Sequence, residues 1–400
     1  MPRLAAVLES LHFGYEPAQV ARAAATREAE GQRVLHLERD ETDFPTPPHV
    51  LEALTAALQA GETHYPPPGG VLPLRVALVE KLDRENGISC HPEDVVVTAG
   101  ATHGLGMAVR ALLAPDDEIL VLTPYWPTVP GVLGLVEGVR WRGVSAYLDV
   151  LEDALAPEAL AARLRANLRP WTRALHLNTP NNPTGAVLSR EHLAAVAAVA
   201  CEHDLWVLSD ETYEHLVFDD AEHVSIAALP GMANRTVSLF SFSVSYAMPG
   251  WRLGYVVSPP ALRPALGPEL AALTTRGVFP AVQLAGLAAL TGPQRVIETT
   301  RQACCERRDL FLAQLAGQSV LRAARPSGTF YAFVDVAAAL ERRTVWDLVR
   351  EWLELGIAVL PGTAFGPYPE RVRFSLATRR DDVGEATRRL RERYAGTPAG

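Results

Sequence analysis

Ala174-Leu175-His176-Leu177 runs directly into Asn178-Thr179-Pro180-Asn181-Asn182-Pro183-Thr184-Gly185. The first four residues read as a buried strand, and the next eight are turn formers carrying amide side chains. Similar short β-rich runs lie on either side: Val95-Val96-Val97-Thr98, Ile119-Leu120-Val121-Leu122, Leu205-Trp206-Val207-Leu208, Val237-Ser238-Leu239-Phe240 and Tyr255-Val256-Val257. Alanine-rich helical stretches such as residues 193–201 separate them, and another helical run, residues 74–82, precedes the first. Strands alternating with helices predict an α/β fold, in which ligands sit beyond the carboxyl ends of the strands. Polar and small residues collect at those ends: 98–102, 124–126, 178–185, 209–213 and 241–243.

The chain has 400 residues, 48% hydrophobic and 21% charged, with a formal net charge of −9. That composition predicts a globular protein and excludes a nucleic-acid binder that relies on bulk positive charge. No apolar run approaches a bilayer span, and Glu9 interrupts the start of the chain before a signal-peptide core could form, so a cytoplasmic location is expected. The four cysteines, Cys90, Cys201, Cys304 and Cys305, never fall in a metal-binding or disulfide spacing, and no metal is expected. No repeat of 20 to 50 residues is present. Of 37 basic residues, Lys81 is the only lysine.

Several strand ends carry chemistry that fits a single ligand. Gly100, Ala101 and Thr102 close a strand and open a helix, leaving backbone N–H groups at the positive end of a helix dipole, where a phosphate can sit. A tight turn needs small residues for steric reasons in any case. Ser241 and Arg252 would complete an anion site. Trp126 offers a flat face for a ring, as well as a side chain for the core. Asp210, after a hydrophobic strand, needs a cationic partner if buried, and a protonated pyridine nitrogen would serve. Tyr213 and Asn182 could hydrogen-bond a phenolic oxygen. Together these residues describe a slot for a phosphorylated, hydroxylated pyridine.

In motif order the sequence resembles the fold-type I pyridoxal-phosphate (PLP) enzymes of the class I/II aminotransferase family, from about Leu35 to Ala377. The resemblance rests on Asp43-Phe44-Pro45-Thr46-Pro47, Tyr65 with Gly70-Val71-Leu72-Pro73-Leu74-Arg75, the Gly100 turn, Pro124-Tyr125-Trp126, residues 178–185, 209–213 and 241–252, and Val372-Arg373-Phe374-Ser375. It implies a large PLP-binding domain (46–294) on a mostly parallel, seven-stranded-type sheet, and a smaller α+β domain from both termini (1–45 and 295–400). It also implies that Asp210 pairs the pyridine nitrogen, that Tyr213 and Asn182 hold the ring oxygen, and that Trp126 stacks on the ring. Ser241, Arg252 and the amides of Gly100, Ala101 and Thr102 would bind phosphate, with Tyr65 reaching it across a homodimer. Arg373 would clamp a substrate carboxylate.

Two positions depart from the family pattern. The family writes Ser-x-Ser-Lys eight residues before the phosphate arginine, and that lysine forms the Schiff base and moves the proton. Here the run is Ser241-Phe242-Ser243-Val244-Ser245-Tyr246-Ala247-Met248-Pro249-Gly250-Trp251-Arg252, so Val244 stands in register at that position. Lys81, in a helical run, is expected to be a solvated surface charge. Where the family often has glycine before Phe-Pro-Thr-Pro, this chain has Asp40, which would compete with a substrate carboxylate for Arg373.

The expectation is therefore PLP or its amine form, PMP, bound non-covalently. The reaction would be a non-standard proton transfer, elimination or cyclisation on an amino-acid-like or carboxylate-bearing small molecule. Tyr65, His103, Tyr213 and Tyr246 are the candidates for proton transfer. A PLP-independent acid–base enzyme, an inactive partner subunit and a lysine-knockout variant of an ordinary aminotransferase remain as alternatives.

Overall fold

The computed structural model describes residues 15–395; the N-terminal residues read above for a signal sequence lie outside them. Twelve strands occur among the described residues: β1 (Leu35–His36), β2 (Val95–Thr98), β3 (Glu118–Thr123), β4 (Arg140–Ser145), β5 (Thr172–Asn178), β6 (Trp206–Asp210), β7 (Thr236–Ser241), β8 (Gly254–Val257), β9 (Tyr331–Asp335), β10 (Ile357–Ala358), β11 (Leu360–Pro361) and β12 (Arg371–Ser375). Seven of them form one sheet in the order β2-β8-β7-β6-β5-β3-β4. All neighbouring pairs are parallel except those made by β8, which runs antiparallel to both β2 and β7. The α/β expectation is met.

Alternation along the central strands explains why the sheet is covered on both faces. Leu120, Leu122, Leu175, Leu177 and Val207 point to one side, where they pack with Leu193, Val196 and Val199 of the helix Arg190–Glu202. Ile119, Val121, Ala174, Leu208, Val237 and Leu239 point to the other, against the helix Ala101–Leu112. A separate core joins Val20, Val34 and Leu37 to residues of the helices Arg295–Leu315 and Arg380–Arg393 and of the sheet β11-β12-β9.

The six apolar runs of the sequence all form strands. The seventh, β4, was not anticipated because Arg140-Trp141-Arg142-Gly143-Val144-Ser145 lacks an apolar run. It is an edge strand, largely accessible, and its arginines pair with Asp116 and Glu118.

The antiparallel strand β8 decides where the site lies. Gly254, its first residue, sits opposite both Ser241 of β7 and Thr98 of β2. A strand that begins where its neighbours end brings Arg252 to the same sheet edge as Gly100, Asp210 and Ser241. The approach is close: a Cβ on Gly254 would fall 2.8 Å from the Gly100 carbonyl carbon.

Lys81 corrects the expectation of a solvated charge. At the end of the helix Leu72–Lys81 it is only 2% exposed. Its Nζ donates to Glu214 Oε2 at 2.5 Å and to Asn86 Oδ1 at 2.8 Å, and lies 4.9 Å from the centre of the Phe240 ring. Burial pushes the Glu214 carboxyl upward, but the Lys81 charge and hydrogen bond, together with His215 and His223, hold it below its ordinary value. Removing one partner strands the other charge in the interior. Lys81→Ala should therefore cost about 3–5 kcal/mol of stability, read from urea denaturation midpoints.

His176 on β5 is fully enclosed, and neither ring nitrogen has a hydrogen-bond partner among the described residues. Burial pushes its pKa down from 6.5 to about 4. The folded chain thus refuses a proton that the unfolded chain accepts, and stability falls as pH drops through this window, by on the order of 3 kcal/mol. His176→Leu should flatten that slope in denaturation curves recorded from pH 7 to pH 4.

Candidate active site

A cleft of about 200 Å³ opens at the carboxyl edge of the large sheet. Asp40, Ala101, Thr102, Trp126, Asn182 and Asp210 line it, together with Tyr213, Ser241, Val244 and Arg252.

One end is built for an anion. Gly100 has φ 81°, a left-handed conformation that favours glycine, and it caps the helix Ala101–Leu112. A Cβ at this position would fall 2.4 Å from Arg252 Nη2, so glycine is what lets the guanidinium close on the helix start. Arg252 donates only to backbone carbonyls, from Nη1 to Pro249 O at 2.8 Å and from Nη2 to Ala99 O at 3.3 Å. No carboxylate pairs with it among the described residues. The Ser241 and Ser243 hydroxyls, 2.6 Å apart, stand beside it. A cation without a counterion, two hydroxyls and a helix start make a phosphate seat.

The other end is built for a cation. Asp210, the last residue of β6, opens to the cleft but is otherwise enclosed by protein. Burial raises its pKa, while the Thr212 side chain and its backbone N–H, 3.0 Å from Oδ1, work in the opposite direction. No arginine, lysine or histidine lies against it among the described residues. A protonated ring nitrogen would supply the missing charge.

Between these ends runs a hydrogen-bonded chain. Asn182 Nδ2 donates to the Tyr213 hydroxyl at 3.2 Å. The Tyr213 and Tyr331 hydroxyls are 3.1 Å apart, and Tyr331 donates to Asp40 Oδ1 at 2.8 Å. Burial raises the pKa of both phenols, and the Asp40 charge adds to it, so both stay protonated. Arg373 closes the ring, with Nη1 donating to Asp40 Oδ1 at 2.5 Å and to Asn182 Oδ1 at 3.1 Å.

Asp40 already occupies Arg373, so the competition expected from Asp40 is seen as an ion pair, and an open carboxylate clamp is not. Tyr331 is the participant that sequence reading missed. It lies within β9, and nothing in its local sequence marks its hydroxyl as functional.

The proposed proton-transfer residues do not all meet here. Tyr213 lines the cleft. His103 does not: its Nδ1 accepts from the Ala99 N–H at 3.1 Å, its Nε2 faces the Thr274 hydroxyl at 2.7 Å, and it borders a separate hollow. Tyr246 points elsewhere, donating to Gln294 Oε1 at 2.9 Å from a buried position. Tyr65 is 78% exposed, with the Arg276 guanidinium 4.9 Å from its ring centre. Within this chain none of these three reaches the cleft.

The family model for class I and II aminotransferases matches residues 32–390. The chain belongs to that family. It is 39% identical over 370 residues to an aspartate/prephenate aminotransferase of Thermus thermophilus, covering 90% of this chain and 91% of the relative. It is also 38% identical to an arginine–pyruvate transaminase of Pseudomonas aeruginosa, covering 92% and 91%. A solved aspartate aminotransferase from Thermus thermophilus with maleate superimposes with a TM-score of 0.89 at 35% identity, covering 98% of this chain and all of the other. The large sheet is thus an aminotransferase sheet, and the family is one of PLP-dependent enzymes. No helix among the described residues is long and apolar enough to cross a membrane.

In an aminotransferase cleft the unpaired Asp210 has a measurable cost when nothing fills it. The folded state keeps its proton to a higher pH than the unfolded chain does. Stability of the ligand-free protein therefore falls as pH rises from the ordinary carboxylate value of 3.8 through the raised one. Asp210→Asn should abolish that fall and stabilise the ligand-free protein by about 1–3 kcal/mol at neutral pH, seen as a higher Tm at pH 7 than the parent chain.

Proposed function

We propose that this aminotransferase-family chain binds PLP or PMP without a covalent bond to the protein and carries out a non-standard reaction, centred on proton transfer, on an amino compound. The observation that carries the reading is a cleft that keeps the two unpaired charges, Asp210 and Arg252, yet is lined at position 244 by valine. By the family resemblance that position belongs to the Schiff-base lysine. The only lysine of the chain is committed to Glu214 and Asn86 and does not line the cleft.

The residues present fit the cofactor. Arg252, Ser241 and the amides of Gly100, Ala101 and Thr102 would hold its phosphate, Asp210 its ring nitrogen, Asn182 and Tyr213 its ring oxygen, and Trp126 its ring face. When bound, the cofactor would supply an electron-withdrawing ring carrying an electrophilic carbonyl as PLP or an amino group as PMP. Val244 contributes shape and excludes water, but it can neither bond a carbonyl nor carry a proton. Tyr213 stays protonated and so can act as a proton donor or relay, its hydroxyl being linked through Tyr331 to the Asp40 carboxylate, the accepting end of the chain.

The proposal includes a homodimer in which Tyr65 of the partner subunit reaches the phosphate. Exposed Leu51, Leu58, Leu72, Val76, Leu273 and Phe279 support such an interface. A division into residues 46–294 and a second lobe of 1–45 with 295–400, and a cytoplasmic location fitting four free cysteines, belong to the same reading.

A second reading, ordinary amino-group transfer, is favoured by the names of the relatives, all of them aminotransferases or transaminases. One experiment separates the two. Titrating the chain with PLP should give a saturable absorbance change, and borohydride reduction should leave no pyridoxyl group on the polypeptide by mass spectrometry. Val244→Lys should acquire one. A pyridoxyl adduct on the parent chain, or no saturable binding, overturns the proposal; rapid amino-acid transamination by the parent chain itself favours the second reading.

A further inference from the structure

Arg373 is sealed on every side. Its side chain is 0% exposed. Its guanidinium carbon lies 4.4 Å from the Tyr331 ring centre and 5.0 Å from that of Phe365, so aromatic rings flank it. Nη1 is shared between Asp40 and Asn182, Nη2 donates to the Glu38 carbonyl at 2.6 Å, and Nε is buried without a partner. A bidentate grip on a carboxylate needs two parallel N–H groups facing the ligand; both Nη1 hydrogens and one on Nη2 are committed within the chain, and the enclosed Arg373 is not among the residues that line the cleft.

Asp40 itself is differently placed. Only its Oδ1 is engaged, by Arg373 and Tyr331. Its side chain is 42% exposed and lines the cleft, and its Oδ2 has no hydrogen-bond partner among the described residues. The protein thus presents its own carboxylate toward the ligand, with one oxygen anchored and the other free to accept a hydrogen bond. An incoming carboxylate would meet like charge and would have to displace an anchored ion pair. A ligand whose corresponding end is an N–H or O–H donor meets a vacant acceptor.

We infer that Asp40 closes Arg373 to substrate carboxylates, so that the site takes an amine bearing a neutral or cationic group, and no carboxylate, beside its amino carbon. This rests on the proposed cofactor occupancy and narrows the substrate class for that same cleft. Asp40 is a specificity-determining residue, acting by charge and by occupation of the arginine.

The test uses the full chain loaded with PLP and a matched pair of probes, 2-phenylethylamine and phenylalanine, which differ in the carboxylate. Saturation is followed by the absorbance change of the bound cofactor, with free PLP as the blank. The parent chain should saturate with the amine at a concentration at least tenfold lower than with the amino acid. Asp40→Gly should narrow or reverse that ratio by tenfold or more, mainly by improving phenylalanine. Asp40→Asn, which keeps the side-chain size and a hydrogen-bond acceptor while losing the charge, should move the same way and carries the comparison if the glycine variant fails to fold. Equal saturation by both probes in the parent chain, or an unchanged ratio in the variants, overturns the inference while leaving cofactor binding intact. Failure of PLP to bind the parent chain overturns the underlying reading instead, and the inference falls with it.

Discussion

Two opposite charges without partners, held at the two ends of one cleft, are the constraint to which the rest of the site answers. Leaving Asp210 and Arg252 unpaired is unfavourable in the free protein, and a sheet that placed them together would neutralise both. They stay apart because Asp210 ends a parallel strand while Arg252 precedes the antiparallel strand β8, with β7 lying between β6 and β8. Only a ligand that is anionic at one end and cationic at the other satisfies both. That requirement, more than any single contact, is what the proposed cofactor occupancy rests on.

The third charged group is handled in the opposite way. Arg373 is paired within the chain, enclosed by two aromatic rings, and tied through Asp40 to Tyr331, Tyr213 and Asn182. The same hydrogen bonds fix the Tyr213 hydroxyl in place, so the carboxylate that fills the arginine also orients the phenol facing the ligand. A similar economy governs Lys81, whose burial against Glu214 and Asn86 secures the helix Leu72–Lys81 to the segment after β6. A lysine committed in this way is not free to serve the cleft.

Much of the site was legible from the sequence because its residues follow strand ends, and strand ends announce themselves where apolar runs stop. Asp210, Asn182, Ser241 and Trp126 were found that way. Tyr331 was not, because it lies within a strand of a different sheet and its role depends on a hydroxyl reaching across to Asp40. His103 and Tyr246 lie close in sequence to cleft residues, yet the helix and turn that carry them direct their polar atoms to Thr274 and Gln294. Sequence proximity could not distinguish the two cases.

By itself the sequence determined the alternation of strands and helices, the identity of the groups at the strand ends, and the presence of valine at position 244, since each is a property of local pattern. Tertiary structure decided which groups remain unpaired. Whether Arg373 is open or filled depends on Asp40, 333 residues away, and whether Lys81 is solvated or buried depends on Glu214, 133 residues away, together with the nearby Asn86. Electrostatic pairing acts through space, and its outcome is fixed only when the chain has closed on itself.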